Sequence, residues 1–238
     1  MVTQTAPART RRGRPGHDLE SVLQGAVRVF NERGYDGTAM EDLSHELGIS
    51  KSAIYHHVES KEQLLTLATD RALDALFALL HEVDEVPGSA FHRLEELVYR
   101  ASLLLVHELP FVTLLLRIRG NTRAERQALT RRREFDRHVT VLVAQARDEG
   151  YLRDDIDPAV TARLVFGMVN SVVEWYKPRR GDRVEDLAAN IKTIAFAGIA
   201  SAAGGRALVQ PGEASPAGAS PAGASPAGAS RRGSAVGE

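Results

Sequence analysis

Residues 47–64, LGISKSAIYHHVESKEQL, decide how this chain is read. Gly48 splits two short helix-forming pieces, and Ser50 stands where a helix N-cap belongs. Small residues open the second piece, and Tyr55, His56 and His57 close it. Short helices are marginal on their own, so such a break makes sense only where the second helix must stand proud of the first. Two short helices joined by a tight glycine turn form a helix-turn-helix.

The surrounding pattern extends this reading. In residues 17–33 the apolar positions Leu19, Val22, Leu23, Ala26, Val27 and Phe30 recur at helical spacing, and Gly34 ends them. A second helix is expected over 39–47, a third from the Ser50 cap to 58, and a fourth from the Ser60 cap to about 81. Beyond the Pro87-Gly88 interruption, helices are expected over 89–107, from Pro110 to the stop at Gly120, over 122–149, from the Asp157-Pro158 start to 176, and over 183–203. No segment alternates with a period of two, so the fold class is all-α.

Composition bounds the function. The 238 residues are 43% apolar and 26% charged, as in ordinary soluble proteins, and contain no cysteine. Thiolate metal sites and disulfides are therefore excluded. No apolar run approaches the roughly 18 residues of a membrane span, and a cytoplasmic location is expected. The net charge of −1 argues against a nucleoid-type protein that coats DNA by bulk charge. Charge is instead segregated: residues 1–16 hold Arg9, Arg11, Arg12 and Arg14 without an acid, and read as a flexible basic arm. Residues 204–238, with three SPAGA units, read as a disordered tail.

A helix that enters the major groove presents its N-terminal residues to base edges. Ser50, Ser52 and Ala53 are small enough for close backbone approach, and Lys51 can reach bases or phosphates. Tyr55, His56, His57 and Lys61 can donate to phosphate oxygens. Adjacent histidines point about 100° apart on a helix and no third ligand lies one turn away, so His56-His57 is not read as a metal pair.

Residues 38–61, TAMEDLSHELGISKSAIYHHVESK, closely resemble the DNA-binding signature of TetR-family transcriptional regulators, and the likeness extends loosely over 18–80. Ser44 departs from the family pattern, which has Ala there, and Thr38 is the single threonine at the helix start. The resemblance implies that Thr38, Ser50, Lys51, Ser52, Tyr55, His56, His57 and Lys61 face double-stranded DNA, with Arg12 and Arg14 of the arm adding contacts. It also implies a helix-turn-helix domain over 17–62, a ligand-binding and dimerisation domain over 63–203, and a homodimer on a palindromic operator.

For that second domain the residues themselves suggest two features. Val160, Leu164, Gly167, Met168 and Val172, with Leu187, Ile191, Ile194, Ala195 and Gly198, offer small and aliphatic faces for a dimer seam. An apolar pocket with a few polar groups could draw on Tyr99, Leu103, His107, Phe111, Leu115, Phe135, His138, Phe166, Asn170, Trp175 and Tyr176. Around its expected entrance, residues 117–137 hold eight arginines, and Arg117, Arg119 and Asn121 are candidate phosphate holders. The runs RIRGNTRAERQAL and FGMVNSVVEWYKP are similar to those of TetR-family members that sense acyl coenzyme A thioesters. A repressor of an efflux pump, responding to drug-like ligands, is the alternative; it would favour buried acids, which the pocket candidates lack. No nucleophile elbow, phosphate loop or metal-protease motif is present, so no enzyme and no cofactor is expected.

Overall fold

A computed structural model describes residues 18–197. Within them the chain forms nine α-helices and no strand: α1 Leu19–Arg33, α2 Met40–Leu47, α3 Lys51–Tyr55, α4 Lys61–Asp84, α5 Ala90–His107, α6 Leu109–Arg117, α7 Arg123–Asp148, α8 Pro158–Trp175 and α9 Val184–Ala197. The arm over 1–16, the tail over 204–238 and the expected continuation of α9 to 203 lie outside the described residues.

The helix starts follow from capping. Asp18, Ser50, Ser60, Ser89, Thr122 and Asp157 each accept a backbone N–H from the first turn of the helix they open. Each such cap contributes about 1 kcal/mol. Ala39 cannot do this for α2, and the carboxylate of Asp42 instead accepts the Ala39 N–H at 2.7 Å. Two ends differ from expectation. α3 stops at Tyr55 rather than 58, because His57 and Val58 both turn back to donate to the Ile54 carbonyl. α4 runs to Asp84, three residues past 81, because Leu79, Leu80 and Val83 stay buried.

The first three helices and the start of α4 form a small head. α1 buries Val22, Ala26, Val27 and Val29 completely. Gly25 leaves room for Leu47 on this face: a Cβ there would lie 2.1 Å from Leu47 Cδ2, so a larger residue would force that side chain to shift. In the body, α5 is the central helix, packed by α4, α7, α8 and α9. Leu94, Leu97 and Val98 on α5 are fully buried, each contributing roughly 1.5–3 kcal/mol relative to exposure. The apolar core runs continuously from head to body. Among the described residues, no single helix is long and apolar enough to cross a membrane.

Candidate nucleic-acid interface and internal cavity

The turn between α2 and α3 is built as the sequence suggests. Gly48 takes φ 64° and ψ 30°, a left-handed conformation natural to glycine. The N–H groups of Gly48 and Ile49 close the end of α2 on the carbonyls of His45 and Ser44. Ile54 is fully buried and is the one residue of α3 that enters the core; Val58 follows it just beyond the helix. This anchoring turns Ser50, Lys51, Ser52, Tyr55 and His56 outward as one exposed row of donors. Tyr55 is half exposed, unusual for a ring of that size. Ala53 and His57 are intermediate, and the His56 and His57 rings meet edge to face at 5.5 Å.

Lys51 forms an ion pair with Glu41 of α2. The bond from Lys51 holds the Glu41 carboxyl below its ordinary pKa, and the same bond raises that of Lys51. The lysine therefore has an internal partner that competes with a DNA contact for its charge.

Two expected DNA contacts are corrected. Thr38 is 2% exposed and its hydroxyl donates to the Gly34 carbonyl at 2.7 Å, which leaves nothing for an outside partner. Lys61 is turned inward: its ammonium donates to the carbonyls of Tyr35 (3.0 Å) and Thr38 (2.8 Å) and lies 4.3 Å from the Tyr35 ring centre. It braces the α1–α2 turn. Burial, reinforced by Glu62, pushes the Tyr35 hydroxyl up to about 12, so the ring beneath that ammonium stays neutral. Arg12 and Arg14 lie outside the described residues.

Head and body are joined by polar contacts as well as by the core. Arg71 of α4 donates Nε and Nη2 to both oxygens of Glu108, the residue just before α6, and Nη1 to Glu20 of α1. Its guanidinium also lies 4.1 Å from the Phe111 ring centre. Asn31 of α1 donates to the Pro110 carbonyl of α6, and Arg117 at the far end of α6 donates to the Asn31 carbonyl. Asn121 donates to Asp36 at 2.7 Å, and Glu62 of α4 accepts the Ala124 N–H that opens α7.

Inside the body lies a narrow cavity of about 40 Å³. Its walls are almost wholly apolar: Leu76 of α4, Ala101, Leu104 and Leu105 of α5, Val112, Leu115 and Leu116 of α6, and Phe135, Phe166 and Val169 of α7 and α8. Arg132, Asp136 and Asn170 are its polar lining. Asp136 and Phe166 also line a groove of about 520 Å³ between α7 and α8, which carries Arg133, Arg137 and Arg163. Asp136 is exposed at the groove, yet its partial desolvation there raises the carboxyl above the ordinary aspartate range, against the opposing pull of Arg132 and Arg163.

Of the expected pocket residues, Leu115, Phe135, Phe166 and Asn170 meet in this cavity. The others are engaged elsewhere. Phe111 is buried under Arg71, and His107 sits with it in a separate cleft against α1. Tyr99 faces Lys192 of α9, 5.8 Å from its ring centre, and Leu103 is partly buried away from the cavity walls. Arg117 and Asn121 belong to the head–body joint, and the Arg119 backbone N–H bonds to Glu125 while its side chain is exposed. His138 packs edge-on against Phe77. Trp175 is 57% exposed, and Tyr176, partly buried, meets it edge to face. The expectation of an acid-free pocket is corrected by Asp136. Val112 and Leu116 were missed because helical periodicity marks a residue as inward-facing without distinguishing cavity wall from solid core, and Arg132 and Asp136 because charged residues in an arginine-rich run read as solvent-facing.

The expected dimer face is mixed. Val160, Leu164, Gly167 and Ile194 are exposed, whereas Val172 and Ile191 are buried in the monomer core; Met168, Leu187 and Ala195 are partly buried against it. Gly198 lies outside the described residues. No cluster of three or more metal-ligating side chains occurs among the described residues.

Comparison with known proteins accounts for both halves. Residues 22–68 match the family of bacterial regulatory proteins named for tetR, and residues 87–199 match the tetracyclin repressor-like C-terminal domain. The crystal structure of SCO3833, a member of the TetR transcriptional regulator family from Streptomyces coelicolor A3, is similar at 51% identity; the match covers 76% of this chain and 91% of that one, with a TM-score of 0.72. The HTH-type transcriptional repressor KstR2 of Rhodococcus jostii is 29% identical over 203 residues, 82% of this chain and 97% of that protein. AibR, solved in complex with isovaleryl coenzyme A and operator DNA, is 25% identical with a TM-score of 0.65, the match covering 75% of this chain and 97% of that one. A helix-turn-helix head with a glycine-turned outer helix, on a helical body and with matches across both halves, has one reading: the chain belongs to the TetR family of transcriptional regulators, which are not enzymes.

Proposed function

We propose that this protein is a ligand-released repressor: two copies hold a palindromic operator through their α3 helices, and an acyl coenzyme A thioester releases them. The exposed row Ser50, Lys51, Ser52, Tyr55 and His56 supplies the donors for bases and phosphates. Exposed Val160, Leu164 and Ile194 supply an apolar seam for the second copy, which sets the two reading helices about 34–36 Å apart.

The observation that carries the effector assignment is the junction at Asp136 and Phe166, where an apolar cavity meets a groove holding Arg133, Arg137 and Arg163. An acyl chain suits the first and nucleotide phosphates the second. The relative AibR, solved with isovaleryl coenzyme A, supports the same class.

The cavity volume also suggests how release works. About 40 Å³ is too little for an acyl chain, since a single water already needs roughly 10–15 Å³. Ligand must therefore part the walls, and α6 supplies three of them while α4 supplies only Leu76. Because α6 is tied to α1 through Asn31, Arg117 and the Glu108–Arg71–Glu20 chain, its displacement moves the reading head. Linkage then requires DNA to weaken ligand binding by the factor with which ligand weakens DNA binding.

The test is fluorescence anisotropy on the promoter DNA beside the protein's own gene, titrated with acyl coenzyme A thioesters. Dissociation of a saturable complex supports the reading; a complex indifferent to every thioester removes the effector class. Asp136 beside Phe135 and Phe166 favours a second reading, a repressor of an efflux pump responding to cationic drug-like compounds. The groove's Arg133, Arg137 and Arg163 outnumber that single carboxylate, so the thioester is preferred. Release by cationic dyes alone would reverse the preference.

A further inference from the structure

We infer that Asp136 is a selectivity residue, which lets a thioester into the site and turns the matching free acid away; this rests on the effector reading above. Asp136 and Phe166 line both the cavity and the arginine groove, so they form the neck between the two. A ligand with its chain in the cavity places the first polar carbon of that chain at this neck.

What stands at that carbon differs between the two ligands. A thioester brings a neutral carbonyl, which the Asn170 amide and the Arg132 guanidinium can serve as donors, while its phosphates lie among Arg133, Arg137 and Arg163. A free acid brings a carboxylate to a place that already holds one. Two carboxylates sharing a site repel, although Asp136 itself keeps an exposed edge. Arg132 and Arg163 do not remove the conflict, because Asp136 already draws on both. The free acid also has no phosphate to place in the groove. The neck thus separates a coenzyme-bound acid from the same acid free in solution, a distinction the apolar cavity cannot make, since it sees the same chain in both.

The test uses the full-length protein on a labelled operator duplex selected from random DNA, with octanoyl coenzyme A and octanoate as the two probes. Wild type, Asp136→Asn and Asp136→Glu are compared by the concentrations that release half of the DNA. Wild type is expected to prefer the thioester by about a hundredfold or more, Asp136→Asn to narrow that preference at least about tenfold by gaining sensitivity to octanoate, and Asp136→Glu to keep it. An unchanged preference in Asp136→Asn, with thioester release intact in wild type, overturns the selectivity role alone. Wild type that thioester does not release overturns the effector reading, and the selectivity role with it.

Discussion

The reading head and the cavity are both built from helices, short in the first and mostly long in the second, and they are held together in opposite ways. The α2–α3 unit is fixed by neighbours in sequence: Gly48 turns it, Ser50 caps it, and Leu43 and Ile54 pin it on either side of the turn. The cavity is fixed by residues far apart: Leu76, Leu105, Leu116, Phe135 and Phe166 come from five helices. Local construction gives a rigid element with one exposed face. Distributed construction gives walls that can separate, which a site that must open requires.

That contrast predicts unequal costs. Ile54→Ala empties a fully packed position and should cost about 2–5 kcal/mol in chemical denaturation, with operator binding lost. Leu116→Ala, on a wall that already borders empty space, should cost clearly less. Equal losses would mean that the cavity is as tightly built as the head.

The next largest effect concerns the joint between the two regions. Arg71→Met removes the link from Glu108 to Glu20 while keeping much of the stem over Phe111. The drop in operator affinity caused by the effector should shrink about fivefold, within the usual span of coupling energies. Operator affinity without effector should change less. A full response to effector in this variant would show that α6 does not carry the signal.

Within the head, Lys51 and Lys61 should separate cleanly. Lys51→Ala should weaken operator binding and lower the salt slope by about one, and Glu41→Gln should strengthen binding by freeing the lysine. Lys61→Met should instead lower the melting temperature through the lost bonds to Tyr35 and Thr38, about 1 kcal/mol each, and leave the salt slope alone. A reduced slope for Lys61→Met would restore the phosphate-clamp role.

The same division explains what the sequence revealed. The starts of α3, α4 and α8 were legible because Ser50, Ser60 and Asp157 act on the residues directly after them. The exposed row of α3 was legible for the same reason. Lys61 was misread because its partners, Tyr35 and Thr38, lie 26 and 23 positions away. Arg117 and Asn121 were misread likewise: each finds its partner more than 80 positions upstream, and only the folded chain shows that pairing.

The smallest expected effect is the pH dependence of the first cap. The backbone N–H of Ser21, with its side chain, holds the Asp18 carboxyl below the ordinary aspartate range. Its folded pKa is depressed, so its contribution is complete above the unfolded value and fades as pH falls through the folded one. Thermal melts of wild type and Asp18→Asn should therefore differ at neutral pH and converge in acid. A difference that grew in acid would give the cap the wrong sign.

The ion pair between Glu41 and Lys51 bears on how such a protein would find its site. On random DNA, attraction comes from cations that displace counterions from phosphates, and a lysine already neutralised by its neighbour adds little to it. Only a site whose base edges outcompete the glutamate recovers that charge. On the proposed reading, the pair shortens dwell times at wrong sites more than at the right one and spares the search some of its false stops.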